Sequence, residues 1–168
     1  MGMDDHRLEE LYRSNFQRVY NYAYYRVLDA SIAEDITSVT FTKAVAGFSR
    51  FDPAKASFST WIIRIAHNVL IDYYRTRKLS VSFDEIGPNE PAIEDDYPAL
   101  DDCQARVARL LACLDDEDRE LIFLKYYEGK KNVEIARLLD MNPSTVATRL
   151  RRALLAMRAY AEGDESQM

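Results

Sequence analysis

Apolar side chains recur at three- and four-residue steps along most of this chain, and the recurrence fails over one long interval. The first run is Leu8, Leu11, Tyr12, Phe16, Val19, Tyr20, Ala23 and Val27, the spacing of one face of a helix. Asp29-Ala30-Ser31 breaks it. Ser31 followed by Glu34 reads as a capping box, so a second helix is expected to start there, with Ile36, Thr40, Ala44 and Phe48 on its inner face. Asp52-Pro53 marks a loop, because proline inside a helix kinks it. A third helix is expected from near Ser59 through Trp61, Ile62, Ile65, Val69 and Asp72 to about Arg77. From Leu79 to Asp101 the period is lost among Pro88, Pro91, Pro98 and a cluster of acids. Such a stretch buries too little apolar area to fold by itself. The helical period then resumes at Val107, Leu110, Leu111 and Leu114. Asp115 or Asp116 is placed to cap the next helix, with Leu121, Ile122 and Leu124, and Gly129 is placed to end it. The expected architecture is all-α: two small helical domains, residues 8–78 and 102–160, joined by an acidic linker at 79–101.

Composition agrees. The 168 residues are 48% hydrophobic, enough for real cores, and hold only five glycines and five prolines, too few for the reversals of an all-β chain. The formal net charge is −6. A protein built only to grip DNA is usually basic, so any contact with nucleic acid must be local. Charge is in fact segregated by segment. Arg64, Arg75, Arg77 and Lys78 form one basic stretch, and Lys130, Lys131, Arg137, Arg149, Arg151, Arg152 and Arg158 form another. Between them run Asp84, Glu85, Glu90, Glu94, Asp95, Asp96, Asp101 and Asp102.

The two cysteines, Cys103 and Cys113, would lie roughly 15 Å apart on a single helix, too far for a disulfide. They are expected to be buried thiols in a reducing cytoplasm. No run approaches a membrane span. The acidic, polar start of the chain does not resemble a signal peptide, so the expected location is cytoplasmic. Only His6 and His67 occur, with no metal-ligand spacing and no glycine-rich phosphate loop. No catalytic residue, metal or cofactor is therefore expected.

Residues 133–158 carry the strongest motif. A helix with Ile135, Ala136 and Leu139 inward is followed by Asp140-Met141-Asn142 and a second helix opening on Pro143. Two helices joined by a three-residue turn have the spacing of a DNA-binding helix-turn-helix. Asn142 is a good N-cap, and proline suits the first helical position. At about 100° per residue, Val146, Leu150, Ala153, Leu154 and Met157 share one face of the second helix. Ser144, Thr148, Arg151 and Arg152 lie opposite, with Thr145 and Arg149 on the flanks. Hydroxyl and guanidinium groups bond phosphates and base edges. Ser144, Thr145, Thr148 and Arg149 are the candidates for base contact, and Lys130 and Arg152 for phosphates. The plainer reading is an amphipathic hairpin with a solvated basic face.

The first domain is rich in Tyr and Phe. Rings beside basic residues suit single-stranded nucleic acid, although any one ring is more commonly core.

Three strings in order then carry a resemblance over residues 8–160. They are Ala33-Glu34-Asp35-Ile36 with Thr40-Phe41; Phe51-Asp52-Pro53 with Phe58-Ser59-Thr60-Trp61-Ile62 and Arg64-Ile65-Ala66-His67-Asn68; and Glu134-Ile135-Ala136 with Thr145-Val146 and Arg152-Ala153. The chain resembles the extracytoplasmic-function sigma factors of bacterial RNA polymerase. The resemblance implies that residues 8–78 are region two, which binds core polymerase and melts and reads the minus-ten element. It implies that 102–160 are region four, which reads the minus-thirty-five element. Glu34, Asp35, Ile36, Ser38 and Thr42 would bind core polymerase, and Phe58, Arg64, Asn68, Arg75 and Arg77 would meet minus-ten DNA. Lys130, Ser144, Thr145, Thr148, Arg149 and Arg152 would meet the upstream element. Implied partners are core RNA polymerase, promoter DNA and an anti-sigma factor, without membrane insertion. The family's usual turn glycine is replaced by Asp140. Lys131 stands where a capping Ser or Thr is common, so the box with Glu134 is expected to be lost. The alternative is another helix-turn-helix regulator with an N-terminal sensing bundle, which would have no reason to carry the first two strings.

Overall fold

A computed structural model describes residues 3–81 and 102–165. They form α1 (Met3–Val27), α2 (Ala30–Gly47), α3 (Phe58–Val81), α4 (Asp102–Ala112), α5 (Asp116–Ile122), α6 (Asn132–Leu139) and α7 (Pro143–Glu165), with no strand among them. The all-α reading holds. The chain divides into two compact units. One contains the residues up to Tyr24 and those from Asp29 through α3; the other contains Tyr25–Leu28 and α4 through α7. Helix α3 runs four residues past Arg77, and the remainder of the expected acidic linker lies outside the described residues.

Leu28 turns the chain between α1 and α2 with φ 54°. Asp29, not Ser31, caps α2: its carboxylate accepts from the Ile32 N–H at 2.9 Å. Asp29 stands before the first helical turn and offers a charged acceptor there, so the helix begins two residues earlier than the Ser31–Glu34 pair suggests. The core combines Val19, Tyr22 and Ala23 of α1, Ala33, Ile36 and Ala44 of α2, and Ile62, Ile63, Ala66, Val69 and Leu70 of α3. Thr37 and Thr40 are buried with them. Their hydroxyls donate to the carbonyls of Ala33 and Ile36, each at 2.7 Å, so neither hydroxyl is stranded. Helix α2 tightens into a single 3₁₀ turn, Phe48–Arg50, before the Asp52-Pro53 loop. Phe48, Phe51, Phe58 and Trp61 close this connection as a cluster, with Phe51 and Phe58 edge to face at 5.6 Å.

In the second unit, Asp115 caps α5 by accepting from the Asp118 N–H at 2.8 Å. Helix α5 widens into a π turn over Phe123–Tyr127, where the Glu128 N–H reaches the Phe123 carbonyl at 3.0 Å. Gly129 follows with φ 66°, as the sequence predicts. Ala108, Leu111, Leu114, Leu121, Leu124, Ile135, Ala136, Leu138, Val146, Leu150 and Ala153 form the core. Leu138 is buried where the periodicity favours Leu139.

The cysteine reading is corrected: Cys103 and Cys113 are both exposed. Helix α4 is amphipathic and buries Ala108 and Leu111, which leaves Cys103 outside, and Cys113 falls just beyond the helix end. Although residue 113 is exposed, its sulfur lies 3.0 Å from the Leu110 carbonyl. Partial burial pushes this thiol's pKa up, outweighing its own backbone hydrogen bond and the charge of Arg119, which both lower it. A raised pKa means less thiolate at neutral pH. Alkylation of Cys113 at pH 7.5, followed by mass spectrometry, is expected to run severalfold slower than that of a cysteine in an unstructured peptide; an equal or faster rate would contradict this environment.

Candidate nucleic-acid interface

Helix α2 sorts its residues sharply. Glu34, Asp35, Ser38 and Thr42 are exposed and fall within about 100° of helix circumference. Val45 shares that strip and Val39 borders it, both exposed. Ile36 lies on the other side and is only 4% exposed, so it belongs to the core and is not available to a partner. Tyr20 of α1 is near this face. Its pKa is raised, first by burial and then by the charges of Glu34 and Asp29, so the phenol stays protonated.

Helix α3 carries the basic stripe. Arg64, Asn68 and Arg75 are exposed and, with Ile71 and Lys78, lie within about 80° of circumference. The opposite face is buried through Ile62, Ala66, Val69 and Leu70. Arg75 bonds Asp72 at 2.9 Å, and Lys43 of α2 approaches the same carboxylate at 3.6 Å. These are half-exposed pairs of small energetic weight, about 0–1 kcal/mol each. Arg77 points elsewhere: it projects from the far side of the helix and donates to the Tyr73 hydroxyl at 3.2 Å. Phe58 is also corrected, because it is buried in the aromatic cluster and presents no free ring face.

Helices α6 and α7 form the helix-turn-helix. Asp140 takes the left-handed conformation, φ 54° and ψ 46°, that makes the turn sharp. The Asp140 and Met141 N–H groups both reach the Ala136 carbonyl, the latter at 2.8 Å. Asn142 then opens α7: its Oδ1 accepts from the Ser144 N–H at 2.9 Å and the Ser144 hydroxyl at 2.7 Å. At the start of α6 half of a capping box survives. The Glu134 carboxylate accepts from the Lys131 N–H at 2.7 Å, while the Lys131 ammonium, a donor only, supplies no return bond.

On α7, Ser144, Thr145, Thr148 and Arg152 are exposed together with Arg151, opposite the buried Val146, Leu150 and Ala153. The Thr148 hydroxyl donates to the Ser144 carbonyl at 2.9 Å and keeps its lone pairs for acceptance. Leu154 is 41% exposed, so the apolar face narrows beyond Ala153. Lys130 is partly exposed in the loop before α6.

Arg149 is different. Its side chain is 18% exposed and bonds Asp118 and Glu117, with Asp115 at 3.4 Å. Burial lowers its pKa, but the bond to Glu117 and the charge and bond of Asp118 outweigh that, and the net shift is upward. Helical angle alone puts Arg149 on the flank. The cluster of acids that holds it comes from a helix distant in sequence, and the pairing has no local signal.

Among the described residues, no cluster of His, Cys, Asp and Glu is arranged to hold a metal ion, and no helix is long and apolar enough to cross a membrane. Two helical units, one of them a helix-turn-helix with a polar face on its second helix, define a DNA-binding protein.

Residues 11–79 match Sigma-70 region 2, and residues 104–157 match Sigma-70, region 4. The RNA polymerase sigma factor YlaC of Bacillus subtilis is 31% identical over 157 residues, covering 90% of each chain. The ECF RNA polymerase sigma factor SigK of Mycobacterium tuberculosis is 30% identical over 163 residues, covering 94% of this chain and 87% of its own. In fold, the chain is similar to the sigma factor RpoE of Bartonella quintana, solved with the anti-sigma factor NepR (TM-score 0.75, 21% identity, covering 95% of this chain and 98% of that one). It is also similar to CnrH, solved with the cytosolic domain of CnrY (TM-score 0.66, 24% identity, 94% and 88%). The chain belongs to the ECF RNA polymerase sigma factors, which direct RNA polymerase to promoters. The alternative of a regulator with a sensing bundle is thereby set aside.

The left-handed turn yields a stability test. A β-branched side chain is strained at φ 54°, so Asp140→Val is expected to lower the urea unfolding free energy by about 1–2 kcal/mol. Asp140→Gly is expected to leave it unchanged or raise it. The reverse order would show that the turn does not need this conformation.

Proposed function

We propose that the two units divide promoter recognition between them. The first unit binds core RNA polymerase through the outer face of α2 and contacts the opened minus-ten strand through the stripe on α3. The second reads the minus-thirty-five element with the start of α7. In this reading residues 8–78 and 102–160 act as regions two and four, and the acidic segment 79–101 spans them.

One observation supports it above all. Within a segment matching region 2, Arg64, Asn68 and Arg75 occupy one exposed stripe. Within a segment matching region 4, Ser144, Thr145, Thr148, Arg151 and Arg152 occupy another. Cationic and amide groups on a helix suit a splayed single strand, where backbone charge and base edges are both accessible. Hydroxyls and guanidinium groups at the start of a recognition helix suit the major groove. On α2, Glu34, Asp35, Ser38 and Thr42, flanked by exposed Val39 and Val45, make a mixed acidic and apolar face of the kind that docks on another protein.

The chain itself performs no bond chemistry and uses no cofactor; the polymerase makes the RNA. It works in the cytoplasm, where the polymerase is. An anti-sigma protein covers the polymerase-binding face and holds the factor idle, a reading prompted by the RpoE–NepR structure.

The test is transcription in vitro with purified core RNA polymerase on a promoter library. Discrete start sites are expected only when chain and core are combined; specific duplex binding by the chain alone would overturn the reading. Arg64→Ala with Asn68→Ala is expected to lower initiation about tenfold or more, equivalent to about 1.4 kcal/mol, while capture by core persists. Glu34→Lys with Asp35→Lys is expected to do the reverse, weakening capture by core in a pull-down. Equal effects of both pairs on capture would remove the division of labour.

A further inference from the structure

We propose that Arg149 is a positioning residue of the recognition helix and not a reader of bases: its guanidinium fixes the rotation of α7 by holding the acids at the start of α5. The inference rests on the assignment of α7 as the helix that meets the upstream element.

The geometry carries it. Arg149 Nε donates to Asp118 Oδ1 at 2.7 Å, and Nη2 lies 2.7 Å from the same oxygen. Nη1 donates to Glu117 Oε2 at 2.5 Å. Nη2 also approaches Asp115 Oδ1 at 3.4 Å, the oxygen that caps α5. All three guanidinium nitrogens therefore face carboxylates. Specific reading of a guanine needs two parallel N–H donors from one edge of the fork. Here the Nε–Nη2 edge is taken by Asp118 and the remaining nitrogen by Glu117. Asp118 is only 10% exposed, so releasing Arg149 to DNA would leave a largely buried carboxylate without its charged partner.

Position on the helix agrees. Arg149 lies about 40° from Ala153 and about 60° from Val146, both fully buried, whereas Thr148 and Arg152 lie well around the circumference. An arginine between core and reading face sets the angle at which that face is presented. Lysine could supply the charge but not the fork, which is why the residue type matters. The pair also neutralises part of an acidic patch. Without the guanidinium, Asp115, Glu117 and Asp118 would stand uncompensated beside the DNA-facing helix.

The experiment uses the full chain reconstituted with core RNA polymerase. The probe is a pool of linear promoter duplexes randomised over the upstream half, with bound DNA sequenced. Arg149→Met is expected to lower occupancy about tenfold while base preference at every position is retained. The slope of log affinity against log salt should stay at its wild-type value, because no phosphate or base contact is lost. Asp118→Asn should have the same effect, and the double variant should be no worse than Arg149→Met alone. Arg149→Lys, the variant that carries the test should Arg149→Met fold poorly, should recover part of the occupancy with unchanged preferences. A reader would behave otherwise: preference would collapse at one base pair, the salt slope would fall by about 1 if a phosphate were touched, and Asp118→Asn would leave binding intact. That pattern overturns the inference and leaves the sigma-factor reading standing. A wild-type holoenzyme that enriches no upstream sequence would instead overturn the assignment of α7, and the inference with it.

Discussion

Burial of one face of a helix decides what the other face can offer, and both units depend on that constraint. Val146, Leu150 and Ala153 are withdrawn from solvent as α7 packs on α5 and α6. What remains outside at its first turns is Ser144, Thr145, Thr148, Arg151 and Arg152. In the first unit, Ile62, Ala66, Val69 and Leu70 do the same for Arg64, Asn68 and Arg75. A side chain two positions away from a core residue is displaced to the opposite side by helix geometry alone. A slip by one residue would rotate the polar face by about 100°, which the core would resist.

This constraint explains why so much was legible in the sequence. The all-α class, the loop at Asp52-Pro53, Gly129 and the Asn142 cap all follow from local rules that read correctly. Motif alone does not reveal that Ile36 and Phe58 are buried or that Arg149 is held by acids, because the surroundings of all three are set by residues distant in the chain. Ile36 is buried in the core of its unit, Phe58 meets Phe48 and Phe51 across a loop, and Arg149 meets Asp115, Glu117 and Asp118 some thirty residues earlier. The exposed cysteines make the same point from the other direction. Free cysteine is commonly buried, yet the amphipathic phase of α4 turns Cys103 outward.

Charge is organised on the same principle at a larger scale. A chain of net charge −6 still presents cationic residues on α3 and α7, because its acids are placed elsewhere. Several sit at helix starts, as Asp29 and Asp115 do, where a negative charge stabilises the first turn. Others are matched by a cation, as Asp118 is by Arg149. Net charge is therefore a poor guide to this protein's affinity for DNA, and the location of each charge is the useful quantity.

The buried threonines of α2 have a consequence for how this unit can evolve. Thr37 and Thr40 satisfy their hydroxyls on carbonyls of their own helix, one turn back. Neither asks anything of α1 or α3. A polar pair spanning two helices would oblige both sequences to change together, since either half alone would be left desolvated. At these two positions α2 can drift in composition independently, provided its shape still fills the space. Its outer face can therefore be retuned for a new polymerase contact without disturbing either of these hydrogen bonds.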